Sequence, residues 1–242
     1  MIPRWLAVAV PVYFTALLAI DTQVRLPGQL VLGAVTWGAL AAVCALIPME
    51  RRAQVLVVVG AATIAEVTGS ILWGVYRYRM HNLPLFVPPG HGLVYLSGVA
   101  LSQALRRHAR TLVAAAAAGA ALWGILGLTV LPRLDVAGAL GVPLLLLFLW
   151  RSQSRAAYAG VFVVVAILEL YGTAIGTWRW TEALPGLGIP DGNPPSGVAS
   201  GYVWFDVMAM LAAPIALRAC LSFSRSRSAV RSEPLPATAP ID

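Results

Sequence analysis

Two glutamates, Glu66 and Glu169, lie inside long apolar stretches of the 242-residue chain and have matching neighbours. Each is followed three residues later by a glycine, then by a second glycine and an aromatic-Arg-aromatic triplet. An acid within a membrane-spanning helix costs about 2.5–3.5 kcal/mol, so it is expected to face the protein interior beside a partner. Dry surroundings favour the protonated form, which can deliver a proton. We therefore predict that both glutamates are catalytic, the alternative being a purely structural pair.

The aromatic-Arg-aromatic triplets have two possible roles. They comprise Tyr76, Arg77 and Tyr78 in the first copy and Trp178, Arg179 and Trp180 in the second. Aromatic rings and arginine both collect at membrane interfaces, which alone would explain them. Guanidinium groups also suit phosphate or carboxylate, and the rings suit a flat polyene or a cationic intermediate. All six residues are therefore candidate substrate-binding residues.

The glycines after each glutamate either allow close helix packing or leave room for a ligand. In a regular helix Glu66, Gly69 and Trp73 share one face, as Glu169, Gly172 and Gly176 do. This face makes Trp73 a further candidate for substrate binding.

Two polar residues occur in one half of the chain only. His91 lies between two glycines after a Pro-rich loop, and Asp206 follows an aromatic run. Histidine is a natural acid, base or ligand near neutral pH, although a histidine capping a helix is the competing interpretation. With ideal helices and an extended loop, His91 would lie roughly 15 Å from the Glu66 face, and a re-entrant loop would shorten the gap. We predict both residues to be catalytic, because a single active site in a duplicated scaffold must break its symmetry.

The motif recurrence indicates an internal duplication. Arg52-Ala53 recurs as Arg155-Ala156 at the spacing of 103 residues that also separates the two glutamates. Further matches between the halves are two Leu-Pro pairs, two Pro-Pro pairs and the tyrosines Tyr95 and Tyr202. We predict that both tyrosines, and Asn193 in the second loop, bind the substrate. The predicted units are a four-helix membrane repeat at 1–106, a second at 107–221 and a disordered cytoplasmic tail at 222–242. Four spans in each half keep the two copies parallel.

Composition excludes a water-soluble fold. Apolar residues make up 59% and charged residues 11% of the chain, against roughly 45–50% and about 25% in soluble domains. The sequence predicts an all-α polytopic bundle, because a spanning helix needs about 20 mainly apolar residues. The predicted spans are 3–20, 29–48, 53–76, 91–105, 110–131, 134–150, 156–178 and 198–221.

Arginine placement predicts the orientation in the cell membrane. The chain has 17 basic residues, all arginine. Twelve fall on the side of the two termini and five on the other, so the positive-inside rule places both termini in the cytoplasm. This topology also explains the basic character without a nucleic-acid partner. The Pro- and Gly-rich segments at 81–92 and 184–195 then lie outside, where they are predicted to fold back over the bundle as lids.

Several signatures are missing from the sequence. The two cysteines, Cys44 and Cys220, have neither disulfide nor metal-ligand spacing. The chain has no Walker A lysine, no paired histidine motif and no nucleophile elbow. The sequence therefore predicts no cofactor and no metal.

The duplicated motif resembles the membrane carotenoid-biosynthesis family that includes bacterioruberin-type hydratases. The resemblance lies in Glu-x-x-Gly, the second glycine, the aromatic-x-aromatic triplet and the Pro-rich turn, and it spans 65–95 and 168–206. Gly188-Ile189-Pro190 followed by Asn193 is similar to that family's Gly-Val-Pro…Asn segment. Membrane-bound lycopene cyclases likewise use small bundles with intramembrane acids.

The resemblance implies an isoprenoid lipid as partner and acid-catalysed hydration or cyclisation of a double bond as activity. Two other classes stay open. Parallel repeats with an acid in each half also fit a proton-coupled transporter, whose cavity would open to both sides. A non-catalytic subunit of a membrane complex would instead have two glutamates that satisfy each other in a closed core.

Overall fold

The computed structural model describes residues 2–202, 205, 207–208 and 211–215. Asp206 and the predicted tail at 222–242 lie outside the described residues. The described chain is mostly helical, which fits the predicted all-α class.

Up to Trp180 the described chain contains seven α-helices and two short strands. The helices are α1 (Leu6–Asp21), α2 (Leu26–Ala45), α3 (Met49–Glu66), α4 (Val87–Ala104), α5 (Ala109–Thr129), α6 (Val136–Arg151) and α7 (Arg155–Ala174). A π-helical segment, Val67–Trp73, continues α3, and a short 3-10 turn, Arg106–His108, precedes α5. The strands are β1 (Tyr76–Tyr78) and β2 (Trp178–Trp180). The described residues of 198–215 are also helical and are called the last helix below.

Four of these helical segments are long and apolar enough to cross a membrane. They are Leu26–Ala45, Met49–Trp73, Arg106–Thr129 and Arg155–Ala174, and the shorter apolar helices are Leu6–Asp21 and Val136–Arg151. Large apolar side chains such as Leu72, Ile64 and Leu140 are about seven-tenths exposed on the outside of the bundle. A surface of this kind is typical of contact with lipid rather than water. The chain is therefore a helical membrane protein.

Helix α4 lies at the centre of the bundle. Every residue from Pro88 to Ala100 is buried, and the helix packs against α1, α2, α3 and α7. Two prolines stand in its first turn, where the missing N–H would have no helical acceptor. The helix therefore begins earlier than the predicted span at 91–105, and it carries His91 one turn into the protein.

Helices α4 and α7 approach each other closely at two glycines. A side chain on Gly160 would overlap the carbonyl group of Gly98, and one on Gly98 would lie 2.6 Å from the backbone nitrogen of Val161. Small residues at such a crossing let two backbones come together, as is common between helices in membranes.

The prediction that helices continue through 53–76 and 156–178 was wrong at their C-terminal ends. The π-helical segment ends at Trp73 and α7 ends at Ala174. Gly74 (φ 74°) and Gly176 (φ 79°) adopt the left-handed conformation that terminates helices. The aromatic triplets that follow form an antiparallel two-stranded ribbon instead of helix ends.

Candidate functional site

The two aromatic-Arg-aromatic triplets pair directly with each other. In the β1–β2 ribbon Tyr76 lies opposite Trp180, Arg77 opposite Arg179, and Tyr78 opposite Trp178. Successive side chains of a strand point to opposite faces. The four aromatic rings therefore face the bundle, where all four line one cavity, while the two arginines are exposed on the outer face.

The cavity beneath the ribbon has a volume of about 180 Å³. It is mostly apolar and lies among α1, α3, α4, α7 and the last helix. Its lining includes the side chains of Phe14, Leu18, Glu66, Tyr76, Tyr78, Phe86, His91, Val165, Leu168, Glu169, Trp178, Trp180, Tyr202 and Phe205. Both predicted acids thus line one cavity, although they lie on different helices.

Glu66 accepts hydrogen bonds from two tyrosines. The hydroxyl groups of Tyr76 and Tyr78 lie 2.6 and 2.7 Å from Oε2, and His91 Nε2 lies 2.9 Å from Oε1. Burial, followed by the charge of Glu66, raises the pKa of Tyr78 well above its ordinary value, so this phenol stays protonated and remains a donor. Both oxygens of the Glu66 carboxyl group are therefore engaged.

Glu169 has different partners. The indole nitrogens of Trp178 and Trp180 donate to the same oxygen, Oε2, at 2.9 and 3.4 Å. Within the part of the chain that the structure describes, Oε1 of Glu169 has no hydrogen-bond partner. The two glutamates do not bond to each other; each is held by the aromatic triplet of its own half.

The glycine three residues after each glutamate makes room for an aromatic ring. A methyl group on Gly69 would lie 3.0 Å from the Tyr76 ring, and one on Gly172 would overlap the Trp178 ring. These rings fold back over the helix end to reach the glutamates. We predicted close helix packing or room for a ligand at Gly69 and Gly172; the structure instead fills the space beside each glycine with an aromatic ring of the chain itself.

His91 joins α4 to the site. Its side chain is only 6% exposed, and its ring centroid lies 5.2 Å from that of Tyr202 and 5.7 Å from that of Phe205. Among the described residues, its second nitrogen, Nδ1, has no hydrogen-bond partner. The helix start at Val87 brings His91 into direct contact with Glu66, much closer than the distance predicted for ideal helices and an extended loop.

Five other predicted site residues lie outside the cavity. Trp73 is half exposed and donates its indole N–H to the Pro185 carbonyl at 2.9 Å. Arg77 and Arg179 face away on the outer side of the ribbon. Tyr95 donates to Gln54 at 3.0 Å, and Asn193 accepts the backbone N–H of Trp180 at 2.9 Å. Asn193 thus supports the ribbon and has no place in the cavity lining.

Two buried aspartates that the sequence patterns did not indicate hold loop residues in place. Asp21 is buried, accepts a hydrogen bond from Gln29 at 2.8 Å and lies 3.8 Å from the Arg79 side chain. Asp135 accepts backbone N–H groups from Gly138, Gly192 and Ser196. The available signal was an acidic residue at the edge of a predicted span.

Asp191 is a third buried aspartate, beside Asp135. Burial, followed by the charge of Asp135, raises its pKa to about 7, and the nearby Arg133 opposes this shift. Its Oδ2 atom has no partner among the residues described. This carboxyl group therefore titrates near neutral pH in the second loop.

The polar groups of the site are carboxyl groups, phenols, indoles and the His91 imidazole. In the described residues no group of three His, Cys, Asp or Glu side chains could hold a metal ion.

Comparisons with protein-family models, curated proteins and solved structures find no match to this chain.

Proposed function

We propose that this protein is an integral membrane enzyme that acts on an isoprenoid or related lipid by acid-catalysed hydration or cyclisation of a double bond. The main support for this proposal is that two buried carboxyl groups with different hydrogen-bond partners line one apolar, aromatic cavity. The resemblance of the motif to membrane carotenoid-biosynthesis enzymes supports the same chemistry.

The unequal partners suggest separate roles for the two glutamates. Glu169 lines the cavity and its Oε1 has no partner among the described residues, which suits an acid that delivers a proton. Glu66 has three partners, including His91 and two phenols, which suits a carboxylate that receives a proton. Pairs of titratable groups in unlike surroundings commonly divide acid and base roles in this way.

The proposed reaction begins with proton transfer from Glu169 to one carbon of a double bond. The π electrons form the new C–H bond and leave a cation on the neighbouring carbon. In hydration, water adds its oxygen to the cation and loses a proton to the Glu66–His91 pair. In cyclisation, a second double bond attacks the cation, and a C–H bond beside the new cation loses its proton to the same pair. Proton return from Glu66 to Glu169 through solvent closes either cycle.

The aromatic lining suits a cationic intermediate. Trp178, Trp180 and Tyr76 surround the acids, and Tyr202 faces them from the last helix. The face of an aromatic ring attracts a cation, and a tryptophan face does so most strongly. The indole N–H groups also hold Glu169 in place, so the same residues would position the acid and stabilise the charge that it creates.

The cavity size favours a substrate that enters by one end. About 180 Å³ is less than the roughly 300–1,000 Å³ of pockets that enclose a whole drug-sized ligand. A terminal isoprene segment could occupy the space while the remaining chain lies among the helices or in the bilayer. This arrangement suits hydration or cyclisation at a chain end.

The scaffold that we propose is a duplication of four spans, eight in total. Four correspondences between the halves support it: a Glu–aromatic hydrogen bond, a Gly–aromatic contact, a left-handed glycine and a strand of the shared ribbon. The distribution of arginines supports cytoplasmic termini, with the ribbon on the outer side.

A change in lipids would test the function. A host that accumulates linear isoprenoids would be grown either with a vector that expresses the protein or with an empty vector. The extracted lipids would then be analysed by mass spectrometry. We expect a new isoprenoid that is heavier by one water, or one of unchanged mass and altered retention. An unchanged lipid profile with well-inserted protein would contradict the enzyme and favour proton-coupled transport or a structural role in a complex.

A further inference from the structure

The outer face of the ribbon carries two arginines directly opposite each other. Arg77 and Arg179 are cross-strand partners, and both are exposed. In the described part of the chain neither guanidinium group has a hydrogen bond or an ion pair. Like charges placed opposite each other destabilise a ribbon. An anion bound between the two guanidinium groups would remove this repulsion, and none of the described residues supplies one.

These arginines line an outer groove of about 480 Å³, separate from the aromatic cavity. The outer groove is formed by Arg77, Tyr78, Arg79, His81, Gly176, Arg179, Trp180, Thr181 and Glu182. Its third arginine, Arg79, is already engaged by the side chain and backbone carbonyl of Asp21 and by the Val24 carbonyl. Among the described residues of this lining Glu182 is the one carboxylate, so positive charge is in excess.

We infer that the outer groove is a binding site for a phosphate group. A guanidinium fork matches the oxygens of phosphate with two parallel hydrogen bonds, and two forks held across a ribbon can share one anion. The ribbon directly follows the ends of two membrane-spanning helices, which is the level of lipid headgroups. The phosphate can therefore come from an anionic phospholipid or from free phosphate in solution.

This site is independent of the proposed chemistry. The arginines and the aromatic rings of the ribbon point to opposite faces, so a ligand in the outer groove does not enter the cavity. Phosphate binding would nevertheless neutralise the repulsion between Arg77 and Arg179. The ribbon that carries these arginines also holds Tyr76 and Trp178 against the glutamates. Removal of both arginines is expected to weaken phosphate binding and to leave the folded bundle intact.

The test compares the purified full chain with an Arg77→Gln/Arg179→Gln double variant. An Arg77→Lys/Arg179→Lys variant keeps the charge without the fork, and Arg25→Gln removes an exposed arginine outside the groove. Each protein is incubated with vesicles of phosphatidylglycerol and diacylglycerol, and the retained lipid is measured by native mass spectrometry. A parallel arm follows thermal unfolding during titration with inorganic phosphate.

We expect the double Gln variant to retain about tenfold less phosphatidylglycerol than wild type, the Lys variant to be intermediate and Arg25→Gln to match wild type. Competition by inorganic phosphate would identify the phosphate group itself as the ligand. Stabilisation by inorganic phosphate without lipid retention would assign the site to free phosphate, and retention without competition would assign it to the lipid headgroup. Equal lipid retention and equal phosphate response in wild type and the folded double variant would overturn the inference.

Discussion

Nε2 of His91 lies 2.9 Å from Oε1 of Glu66, although the two residues are 25 positions apart. The contact links the central helix α4 to the end of α3, directly beneath the aromatic ribbon. It gives Glu66 a third partner, whereas Glu169 has two among the residues that the structure describes. His91 therefore makes the hydrogen-bond partners of Glu66 different from those of Glu169.

Loss of His91 should impair the reaction more than loss of a loop residue. We expect His91→Ala to lower activity at least about tenfold, or about 1.4 kcal/mol in transition-state terms. Asn193→Ala should cost less, because Asn193 contacts the ribbon backbone and not the cavity. Turnover of a linear isoprenoid in vesicles would measure both.

His108 provides the matched control for this change, because it is an exposed histidine far along the chain in the turn before α5. His108→Ala should keep wild-type turnover. Equal losses in His91→Ala and Asn193→Ala would instead favour two equivalent sites, and with them transport or a structural role.

Gly172 should not tolerate a side chain. A methyl group there would overlap the Trp178 ring, so Gly172→Ala would displace the indole that donates to Glu169. We expect activity to fall sharply, with a visible change in tryptophan fluorescence. Gly60→Ala is the control, because its new methyl group meets no neighbour within 4 Å and alanine favours the helix by up to about 1 kcal/mol. If folded Gly172→Ala kept the fluorescence and activity of wild type, the contact between Gly172 and Trp178 would not be needed for activity.

Stability should depend on pH through Asp191. Its folded pKa is raised from 3.8 to about 7, so the folded state holds this proton more tightly than the unfolded state. The contribution of Asp191 to stability is complete below about pH 4 and is lost as pH rises through about 7. Thermal unfolding in detergent at pH 5 and pH 8 should therefore show a larger loss for wild type than for Asp191→Asn. The same loss in both proteins would assign the pH dependence to other groups.

The proposed orientation can be tested with reporters. An enzyme reporter fused after Asp242 should be active only in the cytosol, and one inserted within 185–193 only outside. The physical reason is the excess of arginine on the side of the termini. Reporters inserted within 81–86 should match the second loop, and reversed signals at either position would overturn the orientation.

Local patterns predicted the mostly helical fold and the inward position of the two glutamates. Apolar runs of spanning length indicated where helices form, and the energetic cost of an acid in a membrane indicated that Glu66 and Glu169 face inward. Both line the cavity. His91 also lies beside Glu66, at a much shorter distance than ideal helices and an extended loop would give.

Contacts between distant segments were not predictable from one sequence. The ribbon joins Tyr76 to Trp180, and no local pattern indicates which segment supplies the partners of a three-residue strand. Trp73 was placed on the Glu66 face by α-helical spacing, but the π-helical segment has a wider turn that rotates later residues. For this reason Trp73 bonds to the loop carbonyl of Pro185, away from the cavity.

The most direct test of the account is deuterium transfer to carbon. Wild-type protein and the variants Glu169→Gln, Glu66→Gln and Glu182→Gln would be reconstituted in vesicles that contain lycopene as a linear polyene probe, in deuterium oxide buffer, and products would be analysed by mass spectrometry. Proton delivery from an exchanged Glu169 predicts one carbon-bound deuterium for each lycopene end that reacts, with wild type and with the exposed control Glu182→Gln. Glu169→Gln should form no deuterated product, and Glu66→Gln should form little. Undiminished deuterium incorporation in both cavity variants, or none with well-folded wild type, would contradict acid catalysis by this pair.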